Sequence, residues 1–230
     1  MKIFCTALSV LFVSLALSQN AVDTPVTDDY LTSKSITVLD NQIEIAGSPY
    51  AEEEFQQGNI YKNGKLVASN VAVRYNVSRD EIEVKSAVNL SNTQARVMKA
   101  NPEIHVRVLN DTYVYMKPKA EDQPSGYFNV MYEGEHFHLY KKLKKRFIEG
   151  KKAVNSVARD ILPTYQEDYD LYLVDANTNE LIELNGSRNR KLKAFPSHNK
   201  ELKKYTKTED LNINKDYSLQ KLVAYYNTLK

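Results

Sequence analysis

The chain has 230 residues, of which 42% are hydrophobic and 26% are charged, and its formal net charge is only +2. This length allows one large domain or two small ones. Because Cys5 is the single cysteine, the chain cannot form an internal disulfide, and a packed core must provide its stability.

The first 18 residues form a segment of their own. Lys2 is their only charged residue, an apolar run extends from Ile3 to Leu17, and Ala16 and Ser18 are small. This order is typical of a secretory signal peptide, and the run is shorter than the ~20 apolar residues of a membrane-spanning helix. We therefore expect cleavage near Ser18, a secreted or periplasmic location, and no transmembrane segment once the signal has been removed.

The middle of the chain has the pattern of a β domain. Residues 19–42 are polar and weakly patterned, which predicts a flexible leader. Residues 43–186 alternate apolar and polar side chains in short runs separated by polar turns, as antiparallel strands do. The clearest hairpin surrounds Asn63-Gly64, because this pair provides the two positive φ angles of a type I′ turn. The next run places alternate side chains on one face, namely Val71, Val73, Tyr75 and Val77.

Residues 187–230 have helical spacing and many lysines, which predicts a helical C-terminal tail. Ser197 is a candidate N-cap. One apolar stripe in the last segment has the spacing i, i+3, i+4 and i+7, and its members are Leu219, Leu222, Val223 and Tyr226. We therefore predict an α+β fold, an antiparallel β-meander of eight to eleven strands in a curved sheet or half-barrel, with a C-terminal helical pair packed on the sheet.

Several stretches carry a resemblance to a known kind of protein. They are GNIYKNGKLV, VAVRYN, DEIEVK, GYFNV, HLYKK, KELKKYTK and LQKLVAYYN. In their order they resemble uncharacterised secreted proteins of Bacteroidetes-type bacteria, which combine a β-rich body with a Lys-rich helical tail. The resemblance implies an envelope or extracellular location, and it implies no particular activity.

The stretch EGEHFHLYKKLKKRF holds the candidate metal ligands. His136 and His138 are two residues apart, so on a strand their imidazoles share one face. A third ligand from a neighbouring strand, such as His105 or Glu133, would complete a site for zinc or another transition metal. The same face continues through Tyr140 and basic residues, and this pattern favours two exposed surface histidines instead.

The basic residues Lys142, Lys144 and Arg146 continue that face and are the candidate binding residues. They would suit lipopolysaccharide or an acidic polysaccharide. Residues 141–230 carry 19 basic and 12 acidic side chains, whereas residues 19–140 carry 11 and 17. The alternative, which we favour, is an edge strand whose lysines prevent unwanted pairing.

The sequence contains no motif that is specific for one reaction. A G-x-S-x-G nucleophile elbow is absent, and we expect no cofactor. The leading hypothesis is a non-enzymatic envelope or secreted protein that binds lipid, polysaccharide or protein. Nucleic acid is not expected as a partner, because the protein is predicted to be exported and has no nucleic-acid reader motif. The alternatives are a metal-assisted hydrolase that uses His136 and His138, and a structural or adhesive envelope protein.

Overall fold

The computed structural model describes residues 28–36, 44–118, 120–153 and 159–229. These residues form one antiparallel sheet of eleven strands, followed by three α-helices, so the predicted α+β class is confirmed. The predicted signal peptide lies outside the described residues. The strands are β1 (Leu31–Ser35), β2 (Gln56–Lys62), β3 (Lys65–Asn76), β4 (Glu81–Lys85), β5 (Arg96–Met98), β6 (Ile104–Val108), β7 (Asp111–Met116), β8 (Gly126–Tyr132), β9 (Phe137–Ile148), β10 (Thr164–Asp175) and β11 (Leu181–Glu183). The helices are α1 (Arg188–Ala194), α2 (Asn199–Thr208) and α3 (Asp216–Asn227).

The order of the strands across the sheet is β1-β5-β4-β3-β2-β6-β7-β8-β9-β10-β11. From β6 to β11 each strand pairs with the next one along the chain, which is the predicted meander. At the β2–β3 turn Asn63 has a φ of 50° and Gly64 a φ of 72°, so both positive angles of the predicted turn are present. Val71 and Val73 of β3 are buried, as their alternation predicts.

The strands from β1 to β8 curve around one core of apolar side chains. Tyrosines fill much of it: the Tyr75 ring lies 5.1 Å from that of Tyr113 and 6.0 Å from that of Tyr127, between centroids. The Tyr127 hydroxyl donates a hydrogen bond to the carbonyl of Lys99, which follows β5, at 3.3 Å. The curvature therefore brings the β5 side of the sheet close to β8, although the sheet is not closed and ends at β1 and β11.

The helices cover the other end of the sheet. The predicted stripe on α3 is completely buried and packs in one cluster with Leu139 of β9 and Leu173 of β10. At the start of the same helix Asp216 forms an ion pair with Lys141 of β9. No helix in the described part of the chain combines the length and the apolar composition that a membrane span requires.

Three expectations about the ends of the domain need correction. The predicted leader contains strand β1, which the Thr32 hydroxyl helps to hold by donating to the Val97 carbonyl at 2.8 Å. The tail has three helices in its described residues where a pair was predicted, because Ser187 accepts from the Arg190 N–H and begins an additional short helix. Ser197 does not cap α2: His198 occupies the N-cap with a φ of 58° and makes no side-chain cap.

Candidate functional site

The five candidate site residues all lie on or beside the hairpin of β9 and β10. The two strands pair in continuous register, Phe137–Ile148 against Thr164–Asp175. The inner half of this hairpin comprises residues 137–143 and 169–175, and the outer half comprises residues 144–148 and 164–168. Strands β8 and β11 pair only with the inner half. Since β8 pairs with β9 only at residues 139–141, the predicted edge strand is wrong for this part of β9, whereas Lys142, Lys144 and Arg146 lie where β10 is its only paired neighbour.

His136 lies in the turn before β9 rather than on the strand itself. Its backbone N–H and that of Phe137 both donate to Oδ1 of Asn227, at 2.9 and 3.0 Å. The Asn227 amide donates back to the Phe137 carbonyl at 3.0 Å. Asn227 belongs to α3, so this side chain attaches the last helix to the start of the hairpin.

Both His136 and His138 are half-buried, so the predicted exposed imidazoles are wrong, and the second of them, His138, lies on the face opposite the helices. Its Nδ1 is buried and has no hydrogen-bond partner among the described residues, and its ring stacks on the buried Tyr140 at 5.6 Å between centroids. Burial lowers the pKa of His138, while the charges of Glu133 and Asp175 act in the opposite direction. We therefore expect a neutral imidazole at pH 7.

The described residues contain no group of three or more His, Cys, Asp and Glu side chains that could hold a metal ion. Burial lowers the pKa of His105, Arg107 lowers it further, and Glu133 raises it. Glu133 thus influences the imidazoles of both His105 and His138, but the three do not form such a group. The assignment of a metal to His136 and His138 stays a prediction.

Lys142 joins the hairpin to the turn between β3 and β4. Its Nζ donates to Oδ2 of Asp80 at 2.8 Å and to the Tyr127 carbonyl at 3.1 Å. Oδ1 of Asp80 accepts from the hydroxyl of Tyr75 at 2.7 Å and from the N–H of Tyr127 at 3.1 Å. Burial lowers the pKa of Lys142, and Asp80 partly opposes this effect. Gly126 has a φ of 117°, and a side chain there would collide with Asp80 and Lys142, so only glycine fits beside this pair.

A groove of about 660 Å³ opens beside Lys142 on the hairpin face opposite the helices. It runs between β9–β11 and the segment before β8. The residues that line it are Glu121, Asp122, Gln123, Pro124, Lys142, Lys144, Asp170, Tyr172, Leu181 and Glu183. Two of the three predicted binding residues, Lys142 and Lys144, therefore belong to one concave surface.

Asp170 is the centre of the hydrogen-bond network on the floor of this groove. It forms an ion pair with Lys144, and its Oδ1 accepts from the Asn185 amide at 2.6 Å. The same amide donates to Oε1 of Glu183 at 2.9 Å, so Asn185 joins the two carboxylates. Burial, together with the nearby charge of Asp170, raises the pKa of Tyr172 to about 12, and its hydroxyl donates to Asp170 at 3.4 Å.

One wall of the groove is fixed by the amide of Gln123. This amide donates to the carbonyl of Leu181 at 3.1 Å and accepts from its N–H at 3.2 Å. Leu181 belongs to β11, the last strand of the sheet. Gln123 therefore satisfies the backbone N–H and C=O of one residue on this edge strand, which would otherwise bind water or a partner chain.

Arg146, the third predicted binding residue, is not among the residues that line the groove. It lies on the exposed outer half, where it donates to the Gln166 amide oxygen at 2.8 Å. On the opposite face Lys145 forms an ion pair with Glu167 at 2.6 Å. Arg146 is therefore part of a different surface from that of Lys142.

Comparison of the chain with protein-family models, curated proteins and solved structures finds no match. The sequence resemblance to secreted bacterial proteins stays a prediction.

Proposed function

We propose that this chain is an extracytoplasmic binding protein that acts without catalysis and takes a ligand with a cationic group into its groove. The observation that carries this proposal is the charge of the lining, which contains four carboxylates and only two lysines. The apolar N-terminal run supports export.

The two lysines of the groove are already neutralised by the protein. Lys142 is bonded to Asp80, which lies outside the lining, and Lys144 is paired with Asp170. Glu121, Asp122 and Glu183 are exposed and extend the acidic surface around this pair. An acidic concave surface attracts a cation and excludes an anion by like-charge repulsion.

The hydrogen bonds on the floor of the groove support binding rather than proton transfer. Asp170 is held in place by Lys144 and by the Asn185 amide. The raised pKa of Tyr172 keeps its hydroxyl protonated near neutral pH, so it acts as a donor and not as a base. These groups are arranged as fixed hydrogen-bonding partners.

A trilysine peptide with an acetylated N-terminus tests the proposal, with the same peptide also acetylated on its side chains as the control that has no cationic group. Acetylation removes the charge of each side chain, so titration calorimetry should detect binding of the first peptide and not of the second. Asp122→Asn with Glu183→Gln should weaken binding by about tenfold or more. Glu209→Gln, an exposed substitution at the end of α2, is the matched control and should leave binding unchanged. Absence of binding by trilysine, or equal binding of both peptides, would contradict the proposal.

The two alternative functions have their own tests. A metal-assisted hydrolase predicts stoichiometric zinc that is lost in His136→Ala, which elemental analysis can measure. An adhesive protein would gain support from an exposed apolar stripe on the last helix, but Leu219, Leu222 and Val223 of this stripe are completely buried. Of the three functions, the geometry therefore supports ligand binding in the groove.

A further inference from the structure

Exposed apolar side chains are concentrated at the end of the β9–β10 hairpin, beyond the part that lines the groove. We define the hairpin tip as residues 147–153 and 159–163. Phe147 is 45% exposed, Ile148 40%, Ile161 63% and Leu162 41%. Large apolar side chains that lie together on a surface indicate an interaction site, whereas scattered ones do not.

The tip exposes apolar groups on both faces of the ribbon. Phe147 and Ile148 are consecutive in β9, so their side chains point to opposite faces. The Phe147 ring contacts that of Tyr165 at 5.2 Å between centroids and still remains exposed. Beyond the strands the pairing continues, since the N–H groups of Lys151 and Ile161 each donate to the other's carbonyl at 2.8 Å. A partner with a flat surface could cover only one face of such a ribbon, whereas a lipid layer surrounds both.

The described residues of the tip carry a small excess of positive charge. They contain three basic and two acidic side chains, the basic ones being Lys151, Lys152 and Arg159. Of the two acids, Asp160 accepts a hydrogen bond from the N–H of Ala153 at 2.7 Å. Long basic side chains can keep their charge in the headgroup layer while apolar neighbours enter the acyl boundary. The excess of positive charge is complementary to anionic lipids.

We propose that the hairpin tip inserts into the surface of an anionic lipid bilayer and holds the protein there without spanning the membrane. Insertion buries the four exposed apolar side chains, and Lys151, Lys152 and Arg159 bind the lipid phosphates. The groove does not take part in this contact, so the proposal is independent of the function proposed above.

Vesicle flotation with the purified chain tests this proposal. The probes are vesicles of phosphatidylcholine alone and vesicles that also contain phosphatidylglycerol. We expect binding to the anionic vesicles only, and weaker binding as salt screens the charges. The variant with Phe147→Ser, Ile148→Ser and Ile161→Ser should bind at least about tenfold more weakly. Lys151→Gln with Lys152→Gln should weaken binding less and reduce its salt dependence.

The matched control replaces exposed apolar residues at two other turns of the sheet. Leu66 is 53% exposed and Leu109 is 65% exposed, so Leu66→Ser with Leu109→Ser removes similar apolar area away from the tip. This control should bind like the parent chain, and thermal unfolding of each variant checks that it is folded under the conditions of the vesicle experiment. The N-terminal segment is the same in all of them and cannot account for a difference.

Three results would overturn the proposal. The first is a parent chain that binds neither kind of vesicle, and the second is a tip variant that binds as well as the parent. The third is a concentration-dependent dimer, detected by sedimentation, that the tip variant abolishes while vesicle binding persists, since the tip would then contact a second copy. Loss of trilysine binding with vesicle binding retained concerns the groove alone and leaves the lipid proposal intact.

Discussion

The inner and outer halves of the β9–β10 hairpin have the same backbone pairing and opposite surroundings. Leu139 and Leu173 face each other in the inner half and are completely inaccessible to solvent. In the outer half Phe147 and Ile148 are exposed although they continue the same strand. The difference comes from the neighbours, because β8, β11 and the helices cover only the inner half. An apolar residue in a paired strand is therefore part of the core only where another element covers it.

The largest effect should follow from truncation in the inner half. Leu173→Ala removes a buried side chain from the cluster under the helices, and we expect it to lower the free energy of unfolding by about 2–5 kcal/mol. Urea denaturation measures this loss. A loss below about 1 kcal/mol would contradict the assignment of Leu173 to the core.

A smaller loss should follow from removal of the link between α3 and the inner half. Asn227→Ala leaves the N–H groups of His136 and Phe137 without the acceptor that both use, at a cost of about 1–3 kcal/mol. The matched control is Asn214→Ala, at an exposed position before α3, which should change stability by no more than about 0.5 kcal/mol. Equal effects of the two substitutions in urea denaturation would show that the Asn227 contacts contribute nothing.

The two halves should also differ in alkaline solution. Tyr172 in the inner half has its pKa raised from 10.0 to about 12, so its neutral form is favoured in the folded chain. The contribution of Tyr172 to the free energy of unfolding is complete below pH 10 and is lost as the pH rises towards 12. Between these values the unfolded chain releases a proton that the folded chain retains. Tyr172→Phe should therefore lose less stability than the parent between these pH values. Identical pH curves for the parent and the variant would contradict the buried environment of Tyr172.

The smallest effect on stability is expected in the outer half. Phe147→Ser removes a ring contact with Tyr165, and Ile148→Ser removes a partly exposed side chain, so each should lower the free energy of unfolding by about 1 kcal/mol or less. The same urea titrations provide the measurement. A loss comparable to that of Leu173→Ala would mean that Phe147 or Ile148 is covered by part of the protein.

The sequence predicted the parts of the fold that depend on local pattern. Alternation identified Val71 and Val73 as core residues, and helical spacing identified the buried stripe that includes Leu219. Strand β1 was missed because its sequence, LTSKS, contains one apolar residue and no alternation, so that its pairing with β5 depends on the tertiary structure.

The site was only partly predictable for a similar reason. Lys142 and Lys144 were identified as binding candidates, but the partner Asp80 lies 62 residues before Lys142 and reaches it only through the curvature of the sheet. Asp170 lies opposite Lys142 across the hairpin. Their register could not be inferred, because the connection between β9 and β10 is long and contains no clear turn signal. Tyr140 was assigned to a solvent-exposed face, since nothing local shows that Phe128 and Tyr172 pack against it.

Hydrogen exchange of the backbone amides along β9 and β10, measured with and without anionic vesicles, tests whether the inner half is covered by the protein and the outer half by lipid. We predict slow exchange in the inner half under both conditions, and exchange at least about tenfold faster in the outer half when vesicles are absent. Adding vesicles that contain phosphatidylglycerol should slow exchange in the outer half alone. Equal protection of the two halves in the free protein, or an outer half whose exchange does not respond to the vesicles, would contradict this account.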